Sequence, residues 1–549
     1  MSHAPQVCNY RGEPHLCFYQ GTQLVGWGHG HGIIMDKHYR IVQSVEAGSY
    51  QGASDMHEFM LLPDGKSALM TQYLRSAADL CQWEICNGLG YIQQGAFQEV
   101  DVESGEVLFE WRSLNHIDMA ESYVAPGTTE ISGNGRDSSL PWDYFHINSV
   151  DKNADGDYLI SARHTSGIYK ISGEDGHVMW RLNGAKSDFR LKNFESEYGF
   201  SYQHDARFIA ENETTTTISL FDNGSNGYNY TRDISTGMLV VLDHTEMTAT
   251  MIKNYSSPLY DGQHHTSRSQ GNAQFLPNGN VVMGWGNNAF WSEHLEDGTP
   301  VWYGSIGSTN VMNYRAHKFN WTGLPLTRPA IWTYSKTATH QEGMMVYVSW
   351  NGATEVRKWS IFTGPTAKGP WHLVTTIAKN GFETIWHNDV FAHYTYAAAL
   401  DKDGKTLGKS DVQETFVPSA ELRPNCDELA CFSSVLDEEA EIRLQEAKEA
   451  EERLRLEEEE KQRLLEAEAL RKRNASTLWG ICGFVSVLVL LLARRVIMRP
   501  LTALTYYVYD VAAFALRRAK SGKGRYKAIS GSERAGFDTP DSGTALEPS

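Results

Sequence analysis

The sequence predicts an all-β protein: a β-propeller of about six four-stranded blades, followed by a charged helical stalk and one transmembrane helix. Short β-rich runs fill residues 1 to about 420, an internal repeat recurs along them, and an uncharged 19-residue run follows. The predicted domains are a propeller ectodomain over 1–425, a charged helix over 437–473, a transmembrane helix over 475–493, and a basic, partly disordered cytoplasmic tail over 494–549.

The strand prediction rests on β-branched and aromatic runs that are separated by turn residues. These runs include "DYLIS", "TISLF", "MLVVL", "NVVMGWG" and "MMVYVSW". The segments "PDGK", "ADGD" and "PNGN" are typical of tight hairpin turns. No long amphipathic helix interrupts the pattern before residue 420, so we expect one all-β region.

A repeated unit decides the predicted architecture. Copies begin at His57, His146, His204 and Gln270, and a looser copy begins at His317. Each copy runs as a strand, turns at Gly, Asp or Asn, and returns as an apolar strand; a second hairpin such as "IYKISGEDGHVMWRLNG" often follows. Two hairpins make a four-stranded blade, and several blades close radially into a propeller. The copies are irregularly spaced, so we expect insertions, with five blades as the alternative for a truncated chain.

The chain changes character after residue 436. Residues 437–473 carry Glu–Arg and Glu–Lys pairs at i,i+4, which support an exposed helix, and a poor a/d seam favours a lone helix over a coiled coil. Residues 475–493 hold no charge and have the length of a membrane span, with a buried helix of a soluble protein as the alternative. The basic tail either lies on the anionic inner leaflet or is disordered.

Sequons and cysteines predict a single-pass protein of the secretory pathway or plasma membrane, with the propeller lumenal or extracellular. Six cysteines before residue 432 form three close-spaced pairs, although their connectivity stays open. The predicted glycosylation acceptors share the N-x-[ST] motif and are Asn212, Asn223, Asn229, Asn254 and Asn320. The N-terminus has no apolar signal segment, so either the transmembrane helix directs targeting or the chain begins inside a longer product.

The composition and the missing motifs argue against several classes of function. A net charge of −18 argues against a nucleic-acid partner. The sequence has no zinc-type cysteine spacing, no G-x-S-x-G and no complete phosphate-binding P-loop. "GHGHG" at 28–32 and "HH" at 264–265 lack the neighbours that complete a metal site. We therefore predict no metal, no cofactor and no nucleotide donor.

The repeat also predicts which residues form the candidate site. The residue that opens the inner strand of a blade lies beside the central channel, so His57, His146 and His204 are expected to face one cavity. Arg163 and His164 follow on the returning strand and add a fork for an oxyanion and a titratable donor. Successive side chains of a strand point to opposite faces, so we expect Asp205 not to orient His204.

The motifs "FHINSV", "SARHTSGIYKI", "MWRLNG", "YQHDARF", "LFDNG" and "SQGNAQFLPNGNVVMGWG", in this order, resemble the arylsulfotransferase family over roughly residues 10–420. The fungal-type, membrane-linked branch is the most similar. The resemblance implies a six-bladed propeller and nucleotide-independent sulfuryl transfer from an aryl sulfate to a phenol through a transiently sulfated histidine. By motif, His204 of "YQHD" is the nucleophile, and His146 and His164 assist it. Arg163 is included among the predicted catalytic residues because it is next to His164 in the sequence.

Two parts of the chain depart from the family pattern. Residues 325–420 carry no motif that matches a functional residue, and the chain begins late relative to the branch, near "YRGEPHLCFYQG". A competing hypothesis is a non-catalytic, glycosylated cell-surface propeller that binds a ligand or a cell-wall component. Three histidines and an arginine that converge within hydrogen-bond reach of one anion-sized space favour the enzyme, whereas histidines that are scattered and satisfied by the backbone favour the binding module. The sequence leaves the donor, the acceptor and the oligomeric state open.

Overall fold

The computed structural model describes residues 2–48, 53–129, 131–259, 263–307, 311–339 and 343–431. The chain divides into two compact units, Met1–Phe432 and Ser433–Ser549. The predicted stalk, transmembrane helix and tail fall in the second unit and lie outside the described residues. Within the described ranges, no helix is long and apolar enough to cross a membrane.

The described residues form thirty strands and four single-turn helices, and the first half of the fold contains three sheets. The first sheet contains β1 (Ser2–Tyr10), β2 (Glu13–Gln23), β3 (Gly28–Met35) and β4 (Ile41–Val45). The second contains β5 (Phe59–Leu61), β6 (Ser67–Leu80), β7 (Ile85–Asp101), β8 (Val107–Arg112) and a short parallel strand, β9 (Trp142–Asp143). The third contains β10 (Ile147–Lys152), β11 (Tyr158–Ala162), β12 (Gly167–Ile171) and β13 (Val178–Leu182).

Two further sheets continue the same pattern. The fourth contains β14 (Arg190–Lys192), which pairs in parallel with the last strand, and β15 (His204–Glu211), β16 (Thr215–Asp222), β17 (Thr236–Asp243) and β18 (Thr248–Ser256). The fifth contains β19 (Asn272–Phe275), β20 (Val281–Gly284), β21 (Phe290–His294) and β22 (Pro300–Ser305). Each of the five sheets is built on four consecutive antiparallel strands, as the repeat predicts for a blade.

The remaining strands have a different order. They are β23 (Ala330–Tyr334), β24 (Met344–Ser349), β25 (Lys358–Gly364), β26 (His372–Ala378), β27 (Glu383–Asn388), β28 (Tyr394–Leu400), β29 (Thr406–Lys409) and β30 (Gln413–Glu414). They form sheets ordered β23–β24–β27 and β26–β25–β28–β29, with β30 beside β28, and the two sheets share one apolar core. The four single-turn helices are Cys81–Trp83, Ser113–Asn115, Met119–Glu121 and Arg423–Asn425.

The hairpin turns follow the predicted turn chemistry. Gly65, Gly156 and Gly279 in "PDGK", "ADGD" and "PNGN" all have a positive φ, which glycine adopts without steric cost. A Cβ at Gly65 would lie 2.5 Å from the carbonyl oxygen of Asn9. Glycine is therefore required there both by the backbone conformation and by the close approach of β1.

The looser copy at His317 does not form a blade, and the described residues contain five four-stranded meanders rather than the expected six. Residues 311–318 run beside β19 without forming a strand ladder. Asn272 holds this segment, since its amide donates to the carbonyl of Ala316 over 2.8 Å and its side-chain oxygen accepts the Ala316 N–H over 2.7 Å. Pro325 and Pro329 follow, and a proline cannot donate to a ladder, so the repeat ends here.

The three close cysteine pairs are joined as disulfides. The bonds are Cys8–Cys17, Cys81–Cys86 and Cys426–Cys431. The first links β1 to β2, and the second closes the turn between β6 and β7. Pairing by proximity in sequence is thus confirmed at each pair.

A buried ionic network connects the first strands of three sheets. Glu58, just before β5, accepts hydrogen bonds from Arg315 over 2.8 Å and from Arg207 over 2.5 Å. Arg207 also donates to Asp205 over 2.7 Å, and Arg315 donates to the backbone carbonyl of Asn148 over 2.8 Å. Burial opposes ionisation of Asp205, but the charges of Arg207 and Arg315 outweigh it and lower its pKa to about 2.

We expect Arg315→Met to lower the free energy of unfolding by about 3–5 kcal/mol, because Glu58 then keeps a buried charge with one partner removed. Arg11→Met is the matched control, since Arg11 pairs with Glu103 at the surface and has a side chain 67% exposed. Arg11→Met should lower the free energy of unfolding by less than about 1 kcal/mol. Denaturant unfolding of both variants checks the prediction, and equal stability of the two variants would contradict it.

Candidate functional site

One cavity of about 750 Å³ is lined by the residues that open the first strands of all five meanders. The repeat predicts three of them, His57, His146 and His204, and the structure brings these three together. Gln270, which opens the fourth copy of the repeat, lines the same cavity. The sequence analysis missed His3, Tyr314 and Arg315, which also line it.

His204 begins β15 and is almost fully buried. Its Nδ1 lies 2.7 Å from the side-chain oxygen of Asn223 and 3.1 Å from the carbonyl oxygen of Tyr202. Its Nε2 accepts the backbone N–H of Gln270 over 3.2 Å. Burial, and then the charge of Arg163, lower its pKa well below the ordinary value, so the ring is neutral at neutral pH.

His57 and His146 share a different arrangement, in which an aspartate holds Nδ1. His57 lies 2.5 Å from Asp55, and His146 lies 2.5 Å from Asp143. Each aspartate also accepts the backbone N–H of its own histidine. The two rings lie 4.9 Å apart, edge to face. Aspartates two and three residues before the histidines were the sequence signal for this pair of dyads.

In the Asp143–His146 pair, the imidazole ring of His146 is neutral at pH 7. Burial raises the pKa of Asp143 to about 6. Burial, and then the charges of His57 and Arg163, lower the pKa of His146 well below its ordinary value. Since Asp143 accepts at Nδ1, the free lone pair of the neutral ring is on Nε2, which suits a group that takes a proton.

Arg163 lines the cavity, whereas His164 lies behind it. His164 places Nδ1 2.6 Å from the carbonyl oxygen of Asp143 and accepts from Arg163 at Nε2 over 3.0 Å. Burial lowers the pKa of His164 to about 3, so the ring is neutral and accepts this bond. Arg163 also donates to the carbonyl of Arg268 over 2.9 Å, and its buried Nε has no hydrogen-bond partner among the described residues. His164 thus supports Arg163 and does not line the cavity as the sequence analysis expected.

The same cluster offers a possible set of metal ligands. Ligand atoms of Asp143, His146 and His164 lie within 4.8 Å of one another. The guanidinium of Arg163 lies 3.0 Å from Nε2 of His164, so a cation there would face a like charge at close range. The arrangement suits an anion better than a metal ion.

Five of the twelve described non-glycine residues with φ in the left-handed region line this cavity or lie within two residues of one that does. They are Ala4, His146, Tyr202, Asp205 and Gln270, with φ of 47°, 56°, 53°, 57° and 66°. Such conformations cost about 1–3 kcal/mol each and persist where the surrounding contacts impose them. Here they turn the chain at the strand starts, so that consecutive residues reach the cavity and the ionic network.

The predicted glycosylation acceptors differ in exposure. Asn212, Asn229 and Asn320 are exposed, and Asn254 is half-buried and donates to Glu195. Asn223 is 0% exposed, and its amide nitrogen donates to the carbonyls of Ser267 and Gln270. A glycan on that nitrogen is incompatible with this fold, which corrects the expectation for Asn223.

Fold and cavity together define an all-β protein with a buried, histidine-lined and arginine-lined site. A sequence profile described as Arylsulfotransferase (ASST) matches residues 6–307, more than half of the chain. The chain therefore belongs to the arylsulfotransferase family, and this membership supports sulfotransferase activity at the level of the family. His57, His146, Arg163 and His204 all lie within the matched range.

No curated protein matches the chain. Among solved structures, a protein of unknown function from Bacteroides caccae is 13% identical, with a TM-score of 0.31, 56% of this chain and 84% of that chain covered. A glycoside hydrolase family 43 arabinoxylan arabinofuranohydrolase from Bacillus subtilis is 12% identical, with a TM-score of 0.28 and coverage of 76% and 93%. These scores support no inference about function.

The buried histidines predict loss of stability in acid. Burial lowers the pKa of eight histidines among the described residues: His3, His116, His146, His164, His204, His244, His294 and His317. The unfolded chain binds protons at these groups below about pH 6.5, and the folded chain does not. Burial raises the pKa of Asp143 and Asp222 to about 6 and also raises the pKa of Asp151. These three carboxyls stabilise the fold on acidification, but they are fewer than the histidines.

We therefore expect the melting temperature to fall between pH 7 and pH 5. His204→Gln removes one of the groups and should reduce the pH slope of the unfolding free energy by at most about 1.4 kcal/mol per pH unit. Calorimetry of both proteins across this range measures the effect. A melting temperature that rises on acidification to pH 5 would contradict it.

Proposed function

We propose that the chain transfers a sulfuryl group from an aryl sulfate to a phenolic acceptor through a transient sulfohistidine at His204. The observation that supports this best is the convergence of three histidines and Arg163 on one cavity. The non-catalytic binding module predicts scattered histidines satisfied by the backbone. Backbone groups do contact His164 and both ring nitrogens of His204, but His57, His146 and His204 line one cavity and are not scattered. The reaction needs no nucleotide and no cofactor.

In the first half-reaction, Nε2 of His204 gives up the hydrogen bond from the Gln270 N–H and attacks the sulfur of the aryl sulfate. The bond between sulfur and the aryl oxygen breaks, and its electron pair leaves on the phenolate. Arg163 is charged, and its buried Nε has no hydrogen-bond partner in the part of the chain that the structure describes; it stabilises the sulfuryl oxygens. The phenolate leaves as the anion and takes up a proton from the solvent, while neutral His146, whose Nδ1–H is held by Asp143, keeps its free lone pair on Nε2.

In the second half-reaction, the acceptor phenol gives its proton to Nε2 of neutral His146, which releases it to the solvent when the transfer is complete. The phenolic oxygen attacks sulfur, and the bond between sulfur and Nε2 breaks, which returns His204 to its neutral state. The ring centroids of His57 and His146 lie 4.9 Å apart, so His57 is a second histidine close enough to take part in proton transfer. Donor and acceptor use one cavity in turn, so ping-pong kinetics follow.

We also propose that the five meanders and residues 311–318 close around the cavity as a propeller. Tyr314 supports this closure, because its hydroxyl donates to the carbonyl of His57 over 3.2 Å and its ring lies 5.1 Å from His3 of β1. We propose as well that the chain belongs to the fungal-type branch and has a secretory location. The proposed glycosylation sites are Asn212, Asn229, Asn254 and Asn320. Three disulfides agree with an oxidising compartment.

We expect His204→Ala to abolish sulfuryl transfer while the protein stays folded, because the nucleophile is lost. His177→Ala is the control, since this histidine has a side chain 60% exposed and lies outside the cavity. Initial rates with an aryl sulfate donor and a phenolic acceptor, both varied, should give parallel double-reciprocal lines for the wild type. Wild-type rates in His204→Ala would refute the proposal, and intersecting lines would refute the covalent intermediate.

A further inference from the structure

Asn223 occupies a fully buried position directly behind His204. It follows β16, and its side chain makes three hydrogen bonds. The side-chain oxygen lies 2.7 Å from Nδ1 of His204. The amide nitrogen donates to the carbonyl oxygens of Ser267 over 2.7 Å and of Gln270 over 2.9 Å. Asn223 thus ties the histidine to the loop that carries Gln270.

These contacts fix which atom of each group carries hydrogen. The carbonyls of Ser267 and Gln270 only accept, so the NH₂ of Asn223 must face them and its oxygen must face His204. Nδ1 of His204 then donates, both to Asn223 and to the carbonyl of Tyr202 at 3.1 Å. The neutral ring has its lone pair on Nε2, the nitrogen that accepts the Gln270 N–H.

The choice of an amide partner sets His204 apart from the other two histidines. Asp55 and Asp143 hold Nδ1 of His57 and His146, and a carboxylate stabilises the imidazolium that forms when a ring takes a proton. The neutral amide of Asn223 offers no such charge. A carboxylate suits a histidine that carries protons, and an amide suits one that must stay neutral to attack sulfur.

We propose that Asn223 is the positioning residue of His204: it holds Nδ1–H and so keeps Nε2 unprotonated at the cavity, where its lone pair accepts the Gln270 N–H until the sulfur of the donor replaces that hydrogen bond. The catalytic consequence rests on the proposed sulfuryl transfer, whereas the tautomer does not. The competing interpretation is that Asn223 matters as the acceptor of the sequon Asn223–Gly224–Ser225. The two interpretations predict different behaviour of Ser225, whose loss destroys the sequon and leaves the amide in place.

The tautomer is tested on the wild-type, full-length chain at pH 7 by two-bond ¹H–¹⁵N correlation with ¹⁵N-labelled histidine. The His204→Gln spectrum identifies the signals of His204. We expect the Nδ1–H tautomer, with Nε2 at the shift of an unprotonated nitrogen. An Nε2–H tautomer or an imidazolium at pH 7 would overturn the proposal. This readout requires no turnover and no variant of Asn223, so it decides the matter even where Asn223→Ala does not fold.

The functional role is tested with Asn223→Ala against Ser225→Ala, each checked for folding by its thermal melt. Asn223→Ala should reduce kcat by about 10- to 100-fold with KM changed less than about threefold, the size typical of losing an orienting partner. Ser225→Ala should keep kcat within about twofold. An equal fall in both variants, or a folded Asn223→Ala with wild-type kcat, would overturn the positioning role. A wild-type protein that transfers no sulfuryl group would refute the proposed function and leave the tautomer result intact.

Discussion

Four charges lie next to the cavity, and the positions of its lining residues depend on them. Glu58 binds both Arg207 and Arg315, and these two cations flank Asp205. The chain neighbours of this network are the cavity residues themselves: His57 precedes Glu58, His204 precedes Asp205, and Tyr314 precedes Arg315. Glu58, Asp205 and Arg315 are almost out of water, and the side chain of Arg207 is 18% exposed. Removing one member therefore leaves a buried charge with a partner missing, which is far more costly than losing a surface pair. The network therefore fixes the strand starts, and the strand starts fix the histidines.

In the proposed mechanism, the nucleophile and the proton carrier of the cavity differ in their hydrogen-bond partners. A carboxylate holds His57 and His146, an amide holds His204, and a neutral histidine holds Arg163. All of these side chains are almost fully buried, so small differences in partner have large effects on which atom carries charge. Three similar rings thus take on different chemistry without any difference in residue type.

The sequence predicted the strand starts well because the repeat encodes them. Strand alternation also predicted that Asp205 would not orient His204, and its carboxylate binds Arg207 instead. The sequence could not show that "NGS" at 223–225 is buried, since a sequon is a local motif and burial is a tertiary property. It missed the role of His164 for the same reason, because only the fold places the carbonyl of Asp143 against its ring.

The repeat did not predict the arrangement of the C-terminal sheets. The strands from β23 onward are as β-rich as the blades, but their pairing order joins strands that are distant in sequence. Hydrophobic pattern specifies that a segment is a strand, and it does not specify its partner. The prolines after residue 324, which end the repeat, were the one local sign of the change.

The most direct test of the account is to trap the covalent intermediate on the full-length protein. The purified chain is mixed with an aryl sulfate without acceptor, quenched, digested and analysed by mass spectrometry. The account predicts one added sulfuryl group on the peptide that contains His204, and loss of that group when a phenol is added before the quench. A sulfuryl group on another residue, or turnover of the aryl sulfate with no modified histidine, would contradict it.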